Sequence, residues 1–290
     1  MRLSVETYCL REAFGDKTAI KMIKDAGFDA FDYSFYWLKG KEEDMLSGDY
    51  VGKAEKTREY IEKIGFCCNQ AHAPFDFRHF DTIDMSNENY MRMMRAIECA
   101  KILGADNIIV HPVGRLPEEY NYIEYNRNYL KSFAFAAEKF NMNISVENMC
   151  RYDENDNLTG IKGYTTPKEQ MSFVESIGSE KFNICVDTGH YAVTGIKPET
   201  AIGAMNNKIL KALHIHDNNY KSDQHLLPFS GEFDWEEITK ALKNIDYNGD
   251  FTLELTGFFR KIGKELYVDG LRFAERTGRV LIGKILGENG

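Results

Sequence analysis

Imidazoles and carboxylates are concentrated in one short span, Ala212–Trp235. It reads ALHIHDNNYKSDQHLLPFSGEFDW and holds His214, His216 and His225, three of the chain's seven histidines, beside Asp217, Asp223, Glu232 and Asp234. Ala212–His216 alternates as a strand end does, so His214 and His216 share a face while Leu213 and Ile215 take the other. Asp223 and His225 fall in the loop that must follow. Imidazole beside carboxylate is the donor chemistry of divalent-metal sites and of proton transfer.

The same parity recurs in other short β-like runs. In NISVENM, Ser145 and Glu147 oppose Ile144 and Val146; in FNICVDTGH, Asn183, Cys185 and Asp187 oppose Ile184 and Val186. In FTLELT, Thr252 and Glu254 oppose Phe251, Leu253 and Leu255; His111 opposes Ile108 and Val110, and Cys68, Gln70 and His72 share a side. Packing each apolar face on helices turns the polar faces inward. Glu147, Asp187, His214, Glu254, His72 and His111 are therefore expected to converge at the ends of their strands. Carboxylates crowded into a partly dry cleft repel one another, and a divalent cation relieves the repulsion. One imidazole with three carboxylates suits Mn²⁺, Mg²⁺ or Co²⁺, whereas several imidazoles suit Zn²⁺. Each residue alone could be a helix cap, an ion-pair partner or a satisfied core histidine, and it is their joint occurrence on separate strand ends that favours a metal. His216 reads as a supporting or substrate-contacting group rather than a ligand.

The elements that must position these groups alternate from end to end. Strand-like runs are Leu3–Cys9, Phe28–Tyr36, Phe66–Ala71, Asn107–His111, Asn143–Asn148, Phe182–Asp187, Leu210–His216 and Asp250–Leu255. Helical patterns are Thr18–Asp25, Lys53–Ile64, Glu88–Leu103, Tyr125–Phe140, Pro167–Ser176, Glu199–Asn206, Trp235–Asn244 and Tyr267–Leu286. Strand then helix repeated eight times implies parallel strands, right-handed crossovers and an α/β fold of the (β/α)8 TIM-barrel type. The barrel is expected to fill residues 1–290 as a single domain. Gly27, Gly65, Gly104 and Gly178 stand where helices should stop, and no Gly-rich dinucleotide or Walker segment appears.

Composition narrows the function classes. With 43% hydrophobic and 28% charged residues the chain reads as globular. A net charge of -9 argues against a nucleic-acid partner and leaves a small molecule as the better expectation. Cys9, Cys67, Cys68, Cys99, Cys150 and Cys185 lack paired zinc-ribbon spacing and read as reduced core residues of a cytoplasmic protein. No export signature follows Met1 and no apolar run approaches the roughly 20 residues that cross a bilayer, so no membrane role is expected.

The motifs AHAPF, IIVHP, SVEN, VDTGH, LHIHD, SDQH, PFSGEFDW and TLEL together resemble the xylose isomerase-like TIM barrel superfamily over essentially the whole chain. That superfamily includes sugar and sugar-phosphate isomerases and epimerases, inosose dehydratases and endonuclease IV. The resemblance implies an isomerase or epimerase holding one divalent metal through Glu147, Asp187, His214 and Glu254. Glu147 and Glu254 would also move the proton, through an enediolate that the metal stabilises, and His190 would contact substrate and assist catalysis. An arginine that follows the metal histidine in the ketose 3-epimerases is replaced here by Tyr220, and their second glutamate corresponds to Asp153. Endonuclease IV uses three zinc ions, and all its ligand types find matches in His72, His111, Glu147, Asp187, His190, His214, Asp223, His225 and Glu254. Up to three ions are therefore allowed, with His72, His111, His190, Asp223 and His225 as additional ligands. His216, Tyr8, Tyr36, Trp37 and Asp153 are candidate substrate contacts, and the aromatic residues among them, with Phe75, Phe229 and Phe258, could wall a sugar site. Aromatic loops at the mouth would also suit a homo-oligomer.

Overall fold

Short strands buried along their whole length can exist in parallel array only if both faces are covered. The computed structural model, which describes residues 1–36, 44–74, 82–114, 116–117, 119–152, 158–160 and 164–287, meets that condition with a ring of strands inside a ring of helices. Trp37, Phe75, His79 and Asp153 lie outside the described residues. The elements in order are β1 (Leu3–Glu6), α1 (Tyr8–Phe14), α2 (Asp16–Ala26), β2 (Ala30–Ser34), α3 (Tyr50–Lys63), β3 (Cys68–His72), α4 (Glu88–Leu103) and β4 (Asn107–Val110). They continue with α5 (Tyr122–Lys131), α6 (Ala134–Phe140), β5 (Asn143–Glu147), β6 (Cys150–Tyr152), β7 (Leu158–Gly160), α7 (Pro167–Ile177) and β8 (Phe182–Asp187). The last are α8 (Thr188–Val193), α9 (Pro198–Gly203), β9 (Leu210–His214), α10 (Trp235–Asn244), β10 (Phe251–Leu253), α11 (Thr256–Lys261) and α12 (Tyr267–Leu286).

The large sheet runs β10-β1-β2-β3-β4-β5-β8-β9 with every pair parallel. A further parallel bridge, Ile215 to Leu253, brings β9 back to β10; the Ile215 N–H donates to Thr252 O at 2.9 Å and the Glu254 N–H to Ile215 O at 3.0 Å. The result is the expected (β/α)8 barrel. Outward-facing Leu3, Val5, Ile108, Val110, Ile144, Val146, Ile184 and Leu213 join Ile20, Ile97, Ile202 and Ile238 of the helices in one continuous apolar layer. The barrel interior differs, with only Ile109, Cys185 and Ala212 forming a small separate apolar cluster among the described residues. Around them Ser4 Oγ meets Thr252 Oγ1 at 2.8 Å and Ser145 Oγ donates to Asn107 Oδ1 at 2.8 Å. Buried polar groups are tolerable because they pair with one another.

Phe182–Asp187, Glu88–Leu103, Trp235–Asn244 and Tyr267–Leu286 have the expected limits. Gly27, Gly65, Gly104 and Gly178 all take positive φ beyond a helix end, the conformation that closes such ends without a Cβ clash. Other limits shift by up to three residues, and three of the differences have a visible cause. The first strand ends at Glu6 rather than Cys9, because the Thr7 carbonyl already accepts the Arg11 N–H at 2.9 Å and starts α1, which carries Tyr8. The run Tyr125–Phe140 is two helices: the Ser132 N–H is shared between Asn128 O and Tyr129 O, and the turn tightens there. Leu210–His216 is continuous strand only to His214. The short helices α1, α8 and α11 and the antiparallel β6–β7 hairpin were not foreseen, being too brief to show a period. Among the described residues no helix is long and apolar enough to cross a membrane.

A candidate metal centre at the barrel mouth

Strand parity delivers the side chains. His72 and Glu147 close their strands, Asp187 ends β8, His214 ends β9, and His111 and Glu254 follow β4 and β10 by one residue. These six side chains and His190 and His216 are buried or nearly so. Glu147 Oε2 lies 2.9 Å from His111 Nε2 and 3.2 Å from His214 Nδ1, and His214 Nδ1 lies 3.4 Å from Glu254 Oε2. His72 Nε2 lies 2.8 Å from His111 Nε2, and His72 Nδ1 lies 3.8 Å from Glu254 Oε1.

Asp187 works twice. It N-caps α8, its Oδ1 accepting the His190 N–H at 2.7 Å, which places His190 one turn into the helix. The Asp187-to-His190 spacing of the VDTGH motif is thus a capping geometry. His190 Nδ1 then lies 2.9 Å from the Asn148 carbonyl and 3.1 Å from Glu147 Oε1, with Nε2 3.4 Å from Asp223 Oδ2. His216 Nε2 sits 3.0 Å from each Asp187 carboxylate oxygen. Its ring stacks on His225 at 4.0 Å and is fully enclosed. From that enclosed position its Nε2 faces Asp187.

The loop after β9 returns to the mouth because Asp217 ties it. Its carboxylate accepts from the N–H groups of Phe229 and Phe233 at 3.1 and 3.2 Å and from Trp235 Nε1 at 2.9 Å, and its backbone forms an antiparallel bridge to Leu226. His225 Nε2 consequently lies 3.2 Å from Asp223 Oδ2, and His225 Nδ1 3.5 Å from Glu254 Oε2. Phe229, held at φ 71°, stands 56% exposed on this loop.

Electrostatics follows from the crowding. Burial raises Asp187, but His190 and His216 outweigh it and hold the carboxyl down at about 2. Burial likewise opposes ionisation of Glu147, and His214 and His111 overcome it and keep that carboxyl well below the ordinary range. Burial dominates at Glu254, which is pushed well above it. Burial lowers His225, yet Asp223 and Glu254 lift the imidazole to about 10.

Sequence reasoning passed over two further carboxylates. Asp32 on β2 is fully enclosed; its Oδ2 accepts from Gln70 Nε2 at 2.7 Å and lies 3.4 Å from His214 Nε2. Glu6 ends β1 beside Asp32 in the strand register, and its Oε1 accepts from Ser34 Oγ at 2.9 Å and from the Tyr36 hydroxyl. The parity of Ser4 with Glu6, and of Ala30, Asp32 and Ser34, was the available signal. Tyr36 and Tyr8 are both buried and lie 5.0 Å apart, and Tyr36 packs 4.8 Å from the His72 ring, so this aromatic pair borders the centre.

The donors fit a divalent cation. Glu254 Oε2, His214 Nδ1 and His225 Nδ1 are buried without a hydrogen-bond partner although they lie 3.4 to 3.5 Å apart along the cluster. Ligands held by metal bonds of about 2.0–2.2 Å stand about 3.3–3.6 Å from one another in a tetrahedron. Further donor groups lie within 4.8 Å of one another at His72, His111 and Glu147, at Cys150, His190 and Asp223, and at His216, Asp223 and His225.

The family described as xylose isomerase-like TIM barrel matches residues 20–277. The chain belongs to that family. It is 31% identical over 166 residues to an uncharacterised protein of Methanocaldococcus jannaschii, covering 55% of this chain and 54% of the relative. It is 29% identical over 127 residues to D-psicose 3-epimerase of Enterocloster bolteae, covering 43% of this chain and 37% of that enzyme. These matches span about half or less of each relative's length. A solved D-tagatose 3-epimerase-like protein superposes with a TM-score of 0.72 at 22% identity, covering 100% of this chain and 98% of the other. The IOLI protein with a binding zinc atom superposes with a TM-score of 0.74 at 15% identity, covering 98% and 99%. Both likenesses show the barrel.

Proposed function

We propose that this chain is a divalent-metal-dependent isomerase or epimerase of a sugar or sugar phosphate. The observation that carries the reading is the approach of Glu147 and Glu254 to the same nitrogen, His214 Nδ1, at 3.2 and 3.4 Å. Two carboxylates thus face one point, which is what removing a proton from a carbon and returning one requires. Similarity to D-psicose 3-epimerase over part of the chain supports the sugar class, and the zinc atom of the IOLI protein supports a metal.

Glu147, Asp187, His214 and Glu254 would hold the principal ion, which is Mn²⁺, Zn²⁺, Mg²⁺ or Co²⁺ by donor type. When bound, the cation supplies Lewis acidity at a substrate carbonyl and lowers the cost of removing the neighbouring proton. Glu147 Oε and Glu254 Oε move the proton. His190, fixed by the Asn148 carbonyl, orients a substrate hydroxyl, and Tyr8 and Tyr36 exclude water along one wall.

A second reading is favoured by one observation: His72, His111, Asp223 and His225 join the same centre, so two more ions could be held. That set suits an endonuclease IV-like zinc phosphodiesterase acting on abasic DNA; an inosose-type dehydratase would use the principal ion alone. Metal analysis of protein purified without chelator, with deuterium uptake into a panel of ketoses and inososes, separates them. One ion and uptake, lost in Glu254→Gln with the fold intact, is expected. Three zinc ions with nicking of abasic duplex and no uptake would overturn the isomerase reading.

A further inference from the structure

His214 is the one imidazole assigned to the principal ion, and its ring is gripped on every side. Nδ1 faces Glu147 and Glu254 at 3.2 and 3.4 Å, the ring stacks on His72 at 4.9 Å, and Nε2 faces Asp32 Oδ2 at 3.4 Å. Asp32 reaches it from a strand on the other side of β1 and β10, so the carboxylate crosses the barrel interior to make this approach. Burying a carboxylate with no exposure is costly, and here Oδ1 is enclosed without any hydrogen-bond partner. Core packing alone does not explain why a carboxyl group stands there.

We propose that Asp32 is a positioning residue that fixes His214 with Nδ1 toward the cation and the Nε2 proton toward the Asp32 carboxylate. A metal-bound imidazole that donates its other N–H to a carboxylate is both held in one orientation and made a stronger donor. Gln70 anchors the far partner: its Nε2 donates to the same Asp32 oxygen at 2.7 Å, giving a carboxamide–carboxylate–imidazole line from β3 through β2 to β9. This inference rests on the metal reading above, yet it concerns binding and orientation and not turnover.

The test measures Mn²⁺ and Zn²⁺ affinity by titration calorimetry of chelator-stripped, full-length protein for wild type, Asp32→Asn, Asp32→Glu and Gln70→Leu. Nitrogen NMR of the zinc-loaded, histidine-labelled chains then reports which ring nitrogen of His214 carries the metal. Asp32→Asn should bind roughly 10–100-fold more weakly. Asp32→Glu should recover part of that loss, and Gln70→Leu should fall between; in wild type the zinc is on Nδ1 and the proton on Nε2. Circular dichroism and thermal melts check that each chain folds, and Gln70→Leu with Asp32→Glu carry the comparison if Asp32→Asn does not. Equal affinity in all folded variants, or zinc on Nε2 of wild-type His214 with Asp32 as a direct ligand, overturns the proposal. Tight wild-type binding weakened by Asp32→Asn, with no deuterium uptake into any sugar, would retain the proposal and overturn the isomerase reading instead.

Discussion

Asp187 meets His216 with both carboxylate oxygens, each 3.0 Å from Nε2, while its Oδ1 also caps α8. A carboxylate tied in this way is aimed before any ion arrives. The nearest glycine makes the same point, since a Cβ on Gly189 would overlap the His216 ring. Gly189→Ala and His216→Ala should therefore both lower metal affinity, by roughly 10–100-fold, the range seen when outer partners of metal ligands are removed. Calorimetric titration with Mn²⁺ reads the change; wild-type affinity in both variants would remove the support role from His216.

Metal binding should expel protons. Burial lowers His214, yet Cys185, Glu254 and Glu147 lift it well above the ordinary imidazole range, and burial pushes Glu254 well above the ordinary carboxyl range, so both assigned ligands favour protonated forms that cannot ligate. Cation affinity should thus fall as the pH is lowered. Calorimetry at pH 7 in buffers of different ionisation enthalpy counts the protons released per ion, and a count of zero would show that neither a protonated His214 nor a protonated Glu254 takes part.

Asp217 is a stability residue. It satisfies three donors on the returning loop, so Asp217→Ala leaves the Phe229 and Phe233 amides and the Trp235 indole without their acceptor. The expected loss is about 3 kcal/mol, from the cost of stranding buried donors. Urea unfolding of the two chains gives the number; a loss below about 1 kcal/mol would mean that water replaces the carboxylate.

Glu6 should leave a signature in the pH dependence of stability. Burial, then the neighbouring Asp32, raise its carboxyl from the ordinary 4.5 to about 7. The folded chain keeps a proton that the unfolded chain releases, so this contribution is complete below pH 4.5 and is lost as the pH rises through 7. Glu6→Gln cannot ionise and should gain on wild type across that window, by on the order of 3 kcal/mol. Parallel unfolding profiles for the two metal-free chains from pH 4 to pH 8 would contradict the assignment.

Much of this molecule could be read before it was seen, for identifiable reasons. The limits of α4 and α10 were legible because Asn87 and Asp234 cap them with side-chain acceptors, and β8 because its inward and outward residues differ so sharply in polarity. The inward set from His72 to Glu254 followed from parity. Asp32 and Glu6 obey the same parity, but their inward neighbours Ala30, Ser34 and Ser4 are small, so each acid stands out only once the partner strand is in place. The helix α8 is too brief to show a period, and its cap, Asp187, is itself a ligand candidate. Tyr36 looked like a free aromatic wall, and only the fold reveals that its hydroxyl is bound to Glu6.

The seam between Ile215 and Leu253 carries a further implication. His214 and His216 flank one of the two amides that stitch it and Glu254 bears the other, so this joint of the cylinder and the donor cluster share the same residues. An ion spanning His214 and Glu254 would act as a rivet through that joint. Stripping it with a chelator should loosen hydrogen exchange first at the Ile215 and Glu254 amides, well before the opposite wall of the cylinder responds.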